Sequence, residues 1–135
     1  MSMAKNKFGA RQIKDPATGF VFDSKAEFIR WCELRILERA GKISNLQRQV
    51  KYVLIPAQYE RYERYSDKTG KKLKDGLRCL EKETSYYADF VYERDGKTVV
   101  EDVKGYKKGA AYDLFVIKRK LMMQVYGIKI QEVKV

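Results

Sequence analysis

A chain of 135 residues, 44% of them hydrophobic, can bury one sizeable core but not two, so a single domain is expected. Its 29 Lys and Arg against 18 Asp and Glu leave a net charge of +11, which points to a polyanionic partner, most simply nucleic acid; ribosome-like binding or an anionic membrane surface has the same sign. With no histidine, the chain is excluded from imidazole-based serine and cysteine triads, zinc deaminases and histidine-base nucleases, and any hydrolysis must rely on carboxylates, lysine and metal-activated water.

Residues 1–22 read as a basic, flexible arm in which Lys5, Lys7 and Arg11 are candidates for phosphate contact. Pro16 to Gly19 make a turn, and Phe20 to Phe22 a short extended piece. A single domain is expected over 23–135. Its first helix starts at Asp23 or Ser24; with Ser24 as N-cap, Glu27 is the third helical residue and completes a capping-box spacing, a local use that needs no chemistry. Phe28, Trp31, Cys32, Leu34, Ile36, Leu37 and Ala40 form its apolar stripe, and Gly41 ends it. That places Cys32 in the core; with Cys79 isolated elsewhere, no zinc site is expected.

Ile43 to Ile55 reads as a long strand in near-alternation, closed by Pro56. Gln49 lies on the opposite parity from its apolar residues, either in the cleft or exposed. About 57–83 is a charged insertion, either a strand ribbon or a helix and loop, in which Tyr59, Tyr62 and Tyr65 alternate with cations including Arg61 and Arg64. Such interleaving suits a nucleic-acid platform as well as any solvated ribbon.

Thr84 to Lys104 carries the most informative pattern: two aromatic and β-branched runs around Asp95-Gly96, a type I′ hairpin signal. With these as loop residues Arg94 faces Lys97, which sets Asp89 opposite Asp102. Strand alternation places Tyr87, Asp89, Val91, Val100, Asp102 and Lys104 on one face and Glu101 on the other. Paired carboxylates destabilise a sheet unless something compensates; at a Cβ separation of roughly 4.5–5.5 Å they suit a shared divalent cation, and Lys104 adds a positive charge to the same face.

Gly105 to Gly109 form a basic turn with Lys107 and Lys108. Tyr112 to Tyr126 has helical spacing and carries Lys118, Arg119 and Lys120; Gly127 stops it. Ile128 to Val135 alternates as a final strand with Ile128, Ile130, Val133 and Val135 available to the core. No signal-peptide pattern or long apolar run is present, and the expected location is the cytoplasm, that of the host cell if the gene is carried by a phage.

The order α-β-β-β-α-β, with Tyr87-Ala-Asp-Phe on one hairpin strand and Glu101-Asp-Val-Lys on the next, resembles the PD-(D/E)xK nuclease superfamily over Phe22 to Val135, and within it small phage-encoded endonucleases and Holliday-junction resolvases. Ala88 stands where the superfamily usually has proline. The resemblance implies a restriction-endonuclease-like α/β (α+β) core, a mixed central sheet flanked by helices. It assigns Asp89 and Asp102 as the acids, Lys104 as the lysine and Glu27 as the helix glutamate, with Glu101 as a competing choice for the second acid. Mg²⁺ or Mn²⁺ would sit on Asp89, Asp102, Glu27 and the Val103 carbonyl. Lys107, Lys108, Lys118, Arg119, Arg61 and Arg64 would hold DNA backbone. The expected activity is a Mg²⁺-dependent endodeoxyribonuclease, a homodimer selective for branched DNA such as four-way junctions. The alternatives are a nuclease-like fold that binds nucleic acid without cutting and a basic structural or ribosome-associated protein.

Overall fold

The computed structural model describes residues 3–5, 11–105 and 107–135. Of the cations proposed for phosphate contact in the first segment, Lys7 and the side chains of Lys5 and Arg11 lie outside what is described, as does Tyr106 of the basic turn. The segment is not simply an arm: β1 (Met3–Lys5), β2 (Arg11–Lys14) and β3 (Val21–Phe22) form an antiparallel sheet, with Ile13 paired to Phe22. Both side chains are buried, at 5% and 1% exposure, so apolar burial ties this stretch to the domain. Asp15 closes the β2–β3 turn by accepting from Ala17 N and Thr18 Oγ1, with Gly19 at φ +77°.

Ser24 opens the first helix as its spacing predicts. Its hydroxyl accepts from Glu27 N at 3.1 Å, α1 runs Lys25–Arg39, and Gly41, at φ +74°, follows the last turn. Trp31 and Leu34 are buried, whereas Cys32, expected in the core, is exposed. One residue turns a helix by about 100°, and Trp31 already occupies the sheet-facing position.

The central sheet is β4 (Ser44–Ile55), β7 (Thr84–Arg94), β8 (Lys97–Val103) and β9 (Gln131–Val133), in that spatial order, with β4–β7 and β7–β8 antiparallel and β8–β9 parallel. Between β4 and β7 the insertion forms a separate antiparallel ribbon, β5 (Gln58–Tyr62) and β6 (Gly76–Glu81). After β8 the chain passes through α2 (Ala110–Tyr126), which Gly127 ends at φ +68°. The fold is thus α+β, and α1, β4, β7, β8, α2 and β9 realise the expected order. The last strand is shorter than expected: Ile130 is buried just ahead of it, and Val135 is 45% exposed beyond it.

Each face of the sheet holds one helix. Phe22, Trp31 and Leu34 pack with Ile43, Phe90 and Tyr92; Phe115 and Met122 pack with Leu54, Tyr86, Ala88, Val91 and Val100. No helix among the described residues is long and apolar enough to cross a membrane.

Candidate active site

Asp95 and Gly96 both take positive φ, 53° and 75°, the pair of angles a type I′ turn requires. The ladder then runs from Arg94–Lys97 to Phe90–Glu101, the register the turn predicts. Just beyond its last pair, Val103 N donates to Asp89 Oδ2 at 2.8 Å, so a carboxylate occupies the place where the two strands part. Asp102, 7% exposed, accepts from Tyr86 Oη at 2.7 Å and pairs with Lys104 Nζ at 2.8 Å. The Lys104 ammonium also lies 3.5 Å from the centre of the Phe115 ring, and its backbone N donates to Val133 O at 2.8 Å. Asp89, Asp102 and Lys104 therefore share one locale, as expected.

Glu27 joins them. Its backbone serves the helix cap, while its side chain faces Asp89 from α1, so the local and the chemical use of this residue coexist. Gln49 also turns to the cleft and donates to Asp89 Oδ1 at 3.3 Å. Its φ is +53°, a left-handed conformation uncommon for glutamine, and both strands change face there. On β4, Leu46 packs on the α1 side but Val50, Tyr52 and Leu54 on the α2 side; on β7, Tyr86 and Ala88 face α2 but Phe90 and Tyr92 face α1. This corrects the expected alternation: Tyr86, not Tyr87, reaches Asp102, and Tyr87 is 53% exposed.

Glu101 is excluded from the site by its own partners. It is 1% exposed and takes a bidentate grip from Arg30, Nε to Oε1 at 2.9 Å and Nη2 to Oε2 at 2.7 Å, with Tyr92 Oη donating to Oε2 as well. Neither Arg30 nor Tyr86 was singled out in the sequence: the signal for Arg30 is its place one helical turn from Glu27, whereas simple alternation hides Tyr86.

The electrostatics separate these acids. Burial, followed by the Glu27 carboxylate, pushes the Asp89 carboxyl well above the usual carboxylate range. Burial and then Asp89 raise Asp102, with Lys104 and Tyr86 opposing. The Tyr86 hydroxyl is held far up by burial and then Asp102. Among the described residues no three Asp, Glu, Cys or His side chains converge into a set that could hold an ion in this side-chain arrangement. The donor chemistry nevertheless fits a hard divalent cation, since Glu27 faces Asp89 and Asp89 in turn repels Asp102, pairwise repulsion between oxygen donors that a cation would relieve.

Beside the acids lies an open groove of about 380 Å³ lined by Lys104, Gly105, Lys107, Lys108 and Lys134. Lys134 was not singled out in the sequence, because it lies outside every motif. Arg119 has a different use from the expected one: it donates to Glu132 Oε2 at 3.0 Å, and Tyr112 donates to Oε1 at 2.9 Å, tying α2 to β9. Lys107 lies 3.9 Å from the same glutamate. Lys118 is half-buried on α2, and Arg61 and Arg64 are exposed on the ribbon and just beyond it, remote in sequence from the acids.

A family model described as "Protein of unknown function (DUF1064)" matches residues 5–134. No curated protein and no solved structure matches the chain.

Proposed function

The chain belongs to the DUF1064 family, and we propose that it is a divalent-metal-dependent DNA endonuclease that hydrolyses phosphodiester bonds in branched DNA. One observation carries this reading: two neighbouring carboxylates, both raised by burial, are kept beside a lysine at the mouth of a lysine-lined groove. A fold that needed only stability would gain nothing from such crowding. The resemblance to the PD-(D/E)xK superfamily gives the same assignment.

Asp89, Asp102, Glu27 and the Val103 carbonyl would hold Mg²⁺ or Mn²⁺, which when bound supplies an acidified water and a polarised phosphate. The chain's own residues do the rest. Val103 N and Gln49 hold Asp89 in one orientation. Tyr86 does the same for Asp102. Lys104, fixed by Asp102 and the Phe115 ring, keeps an ammonium where negative charge develops on phosphate oxygens or where water is positioned. Lys107, Lys108 and Lys134 offer the strand beyond the cut a cationic groove whose grip should weaken steeply with salt. The working form is a homodimer in the cytoplasm, with two such sites meeting one junction.

The test is incubation of purified protein with linear, nicked, flapped and four-way DNA, with and without Mg²⁺. Metal-dependent cutting that favours the four-way substrate is expected; no cutting of any of them overturns the proposal, and equal cutting of all removes the branched-DNA part. One observation favours a second reading, a binding protein on a nuclease-like fold: no three acids converge among the described residues. It predicts tight DNA binding, no heat of Mn²⁺ binding in calorimetry, and no cleavage.

A further inference from the structure

The ribbon between β4 and β7 has no core beneath it. Tyr59, Leu77 and Leu80 are 61%, 65% and 54% exposed, and Tyr65, in the loop that closes it, is 55% exposed. A lone two-stranded ribbon is marginal in water, and large apolar side chains left on one mark a contact surface. The ribbon is nevertheless built with care. Ser66 N bonds to Lys71 O and Gly70 N to Ser66 O, both at 2.8 Å, closing its tip with Gly70 at φ +68°. Tyr62 lies flat over Gly76, where any Cβ would collide with its ring, and Arg78 stacks on that ring at 4.7 Å.

The register sorts the side chains. Tyr59 pairs with Cys79 and Arg61 with Leu77, so these four share one face; Glu60 pairs with Arg78 and Tyr62 with Gly76 on the other. One face thus combines an aromatic ring, a leucine and a guanidinium. Arg61, Arg64, Lys68, Lys71 and Lys74 make no ion pair among the described residues.

We propose that the ribbon is an arm that enters branched DNA where the duplexes part, with Tyr59 and Leu77 against unstacked bases and the surrounding cations along the phosphates. This rests on the nuclease reading in taking DNA as the ligand, and it names what makes the branch the preferred substrate. Exposed rings stack on bases of any sequence, leucine is a known wedge between base steps, and a two-stranded ribbon fits a major groove. A second copy of the chain is the weaker occupant, because two such cationic arms repel and the apolar side chains are interrupted by charge. The reach is sufficient: from Gln49 at the acids to Ile55 is roughly 20 Å of strand, and the ribbon adds roughly 30 Å at about 3.3 Å per residue. Laid end to end, these lengths bound the arm's reach at about 15 base pairs from the cut, at about 3.4 Å per pair.

The test uses the full chain and its Tyr59→Ala and Leu77→Ala variants. Fluorescence anisotropy in EDTA reads affinity for a labelled four-way junction and for linear duplex, light scattering reads mass, and a Mg²⁺ assay reads junction cutting. Each variant should bind the junction about tenfold or more weakly, the size of one lost base stack, with linear-duplex affinity within about twofold and mass unchanged. Junction affinity equal to the parent overturns the arm. A change of mass with DNA binding intact overturns it in favour of a second copy. If the parent cuts nothing but the variants still lose junction affinity, the arm stands and the nuclease reading falls.

Discussion

Glu101 and Asp102 are neighbours on one strand, both nearly inaccessible, and they live in opposite electrostatic worlds. Glu101 meets a bidentate arginine and a tyrosine hydroxyl, so its charge is matched within the fold. Asp102 has one lysine and one tyrosine against the repulsion of Asp89, which in turn faces Glu27. The first arrangement stabilises a structure; the second leaves repulsion between carboxylates that a proton or a bound cation would relieve. Adjacent positions on a strand can differ this much because successive side chains enter different layers.

The sharpest break of this contrast is Asp102→Asn. Mg²⁺-dependent cleavage should fall by about 10³-fold or more, as when a main electrostatic group is lost from a transition state. DNA affinity and metal-free stability should stay close to the parent, since asparagine still accepts from Tyr86 and repulsion of Asp89 is relieved. Cleavage retained in this variant would remove the site. On the other side, Arg30→Met strands the Glu101 carboxylate in the core, and denaturant unfolding should show a loss of about 3–5 kcal/mol. A smaller loss would mean that Glu101 finds water or a proton.

A subtler difference is read by pH. Asp89 is raised in the folded state, so its protonated form stabilises the metal-free protein; this contribution is complete below about pH 4 and is lost as pH rises through the raised folded value. Asp89→Asn should flatten the stability profile by up to about 1.4 kcal/mol per pH unit across that window, and saturating Mg²⁺ should flatten it in the parent. Cleavage should climb over the same interval, because a cation needs the ionised acid. Identical profiles for parent and Asp89→Asn would show that Asp89 ionises normally. The smallest effect belongs to Gln49→Gly, which relieves the left-handed backbone but deletes the hydrogen bond to Asp89. Relief of the left-handed residue, about 1–2 kcal/mol, is opposed by glycine's greater freedom in the unfolded chain, roughly 0.5–1 kcal/mol. Unfolding free energy should therefore rise by no more than about 1 kcal/mol, while cleavage drops about tenfold, the size of one hydrogen bond to a charged group.

Much of this was readable from residues with local meaning. Ser24 and Glu27 announced the helix start, Asp95-Gly96 set the hairpin register, and that register alone separated Glu101 from Asp102. What escaped depends on long-range geometry. Gln49 turns its strand over and carries β7 with it, so alternation counted from the turn misplaces Tyr86 and Tyr87. Phe22, expected only as the end of a short extended piece, packs into the α1 side of the core, and Ile13, its strand partner, is buried with it. The insertion had cations and tyrosines in an order compatible with two shapes, and only pairing of 58–62 with 76–81 decides between them.

Parallel pairing of β8 with β9 has a consequence for when the site can exist. Asp102 pairs with Glu132 and Val103 with Val133, and the Lys104 amide is bonded to Val133, all across the α2 crossover. A nascent chain synthesised only to the end of α2 has β8 as a bare edge, and Asp102 lies on a strand free to fray. Translation must pass Val133 before Asp102 and Lys104 are held from the β9 side, so the candidate site is completed only by the last strand.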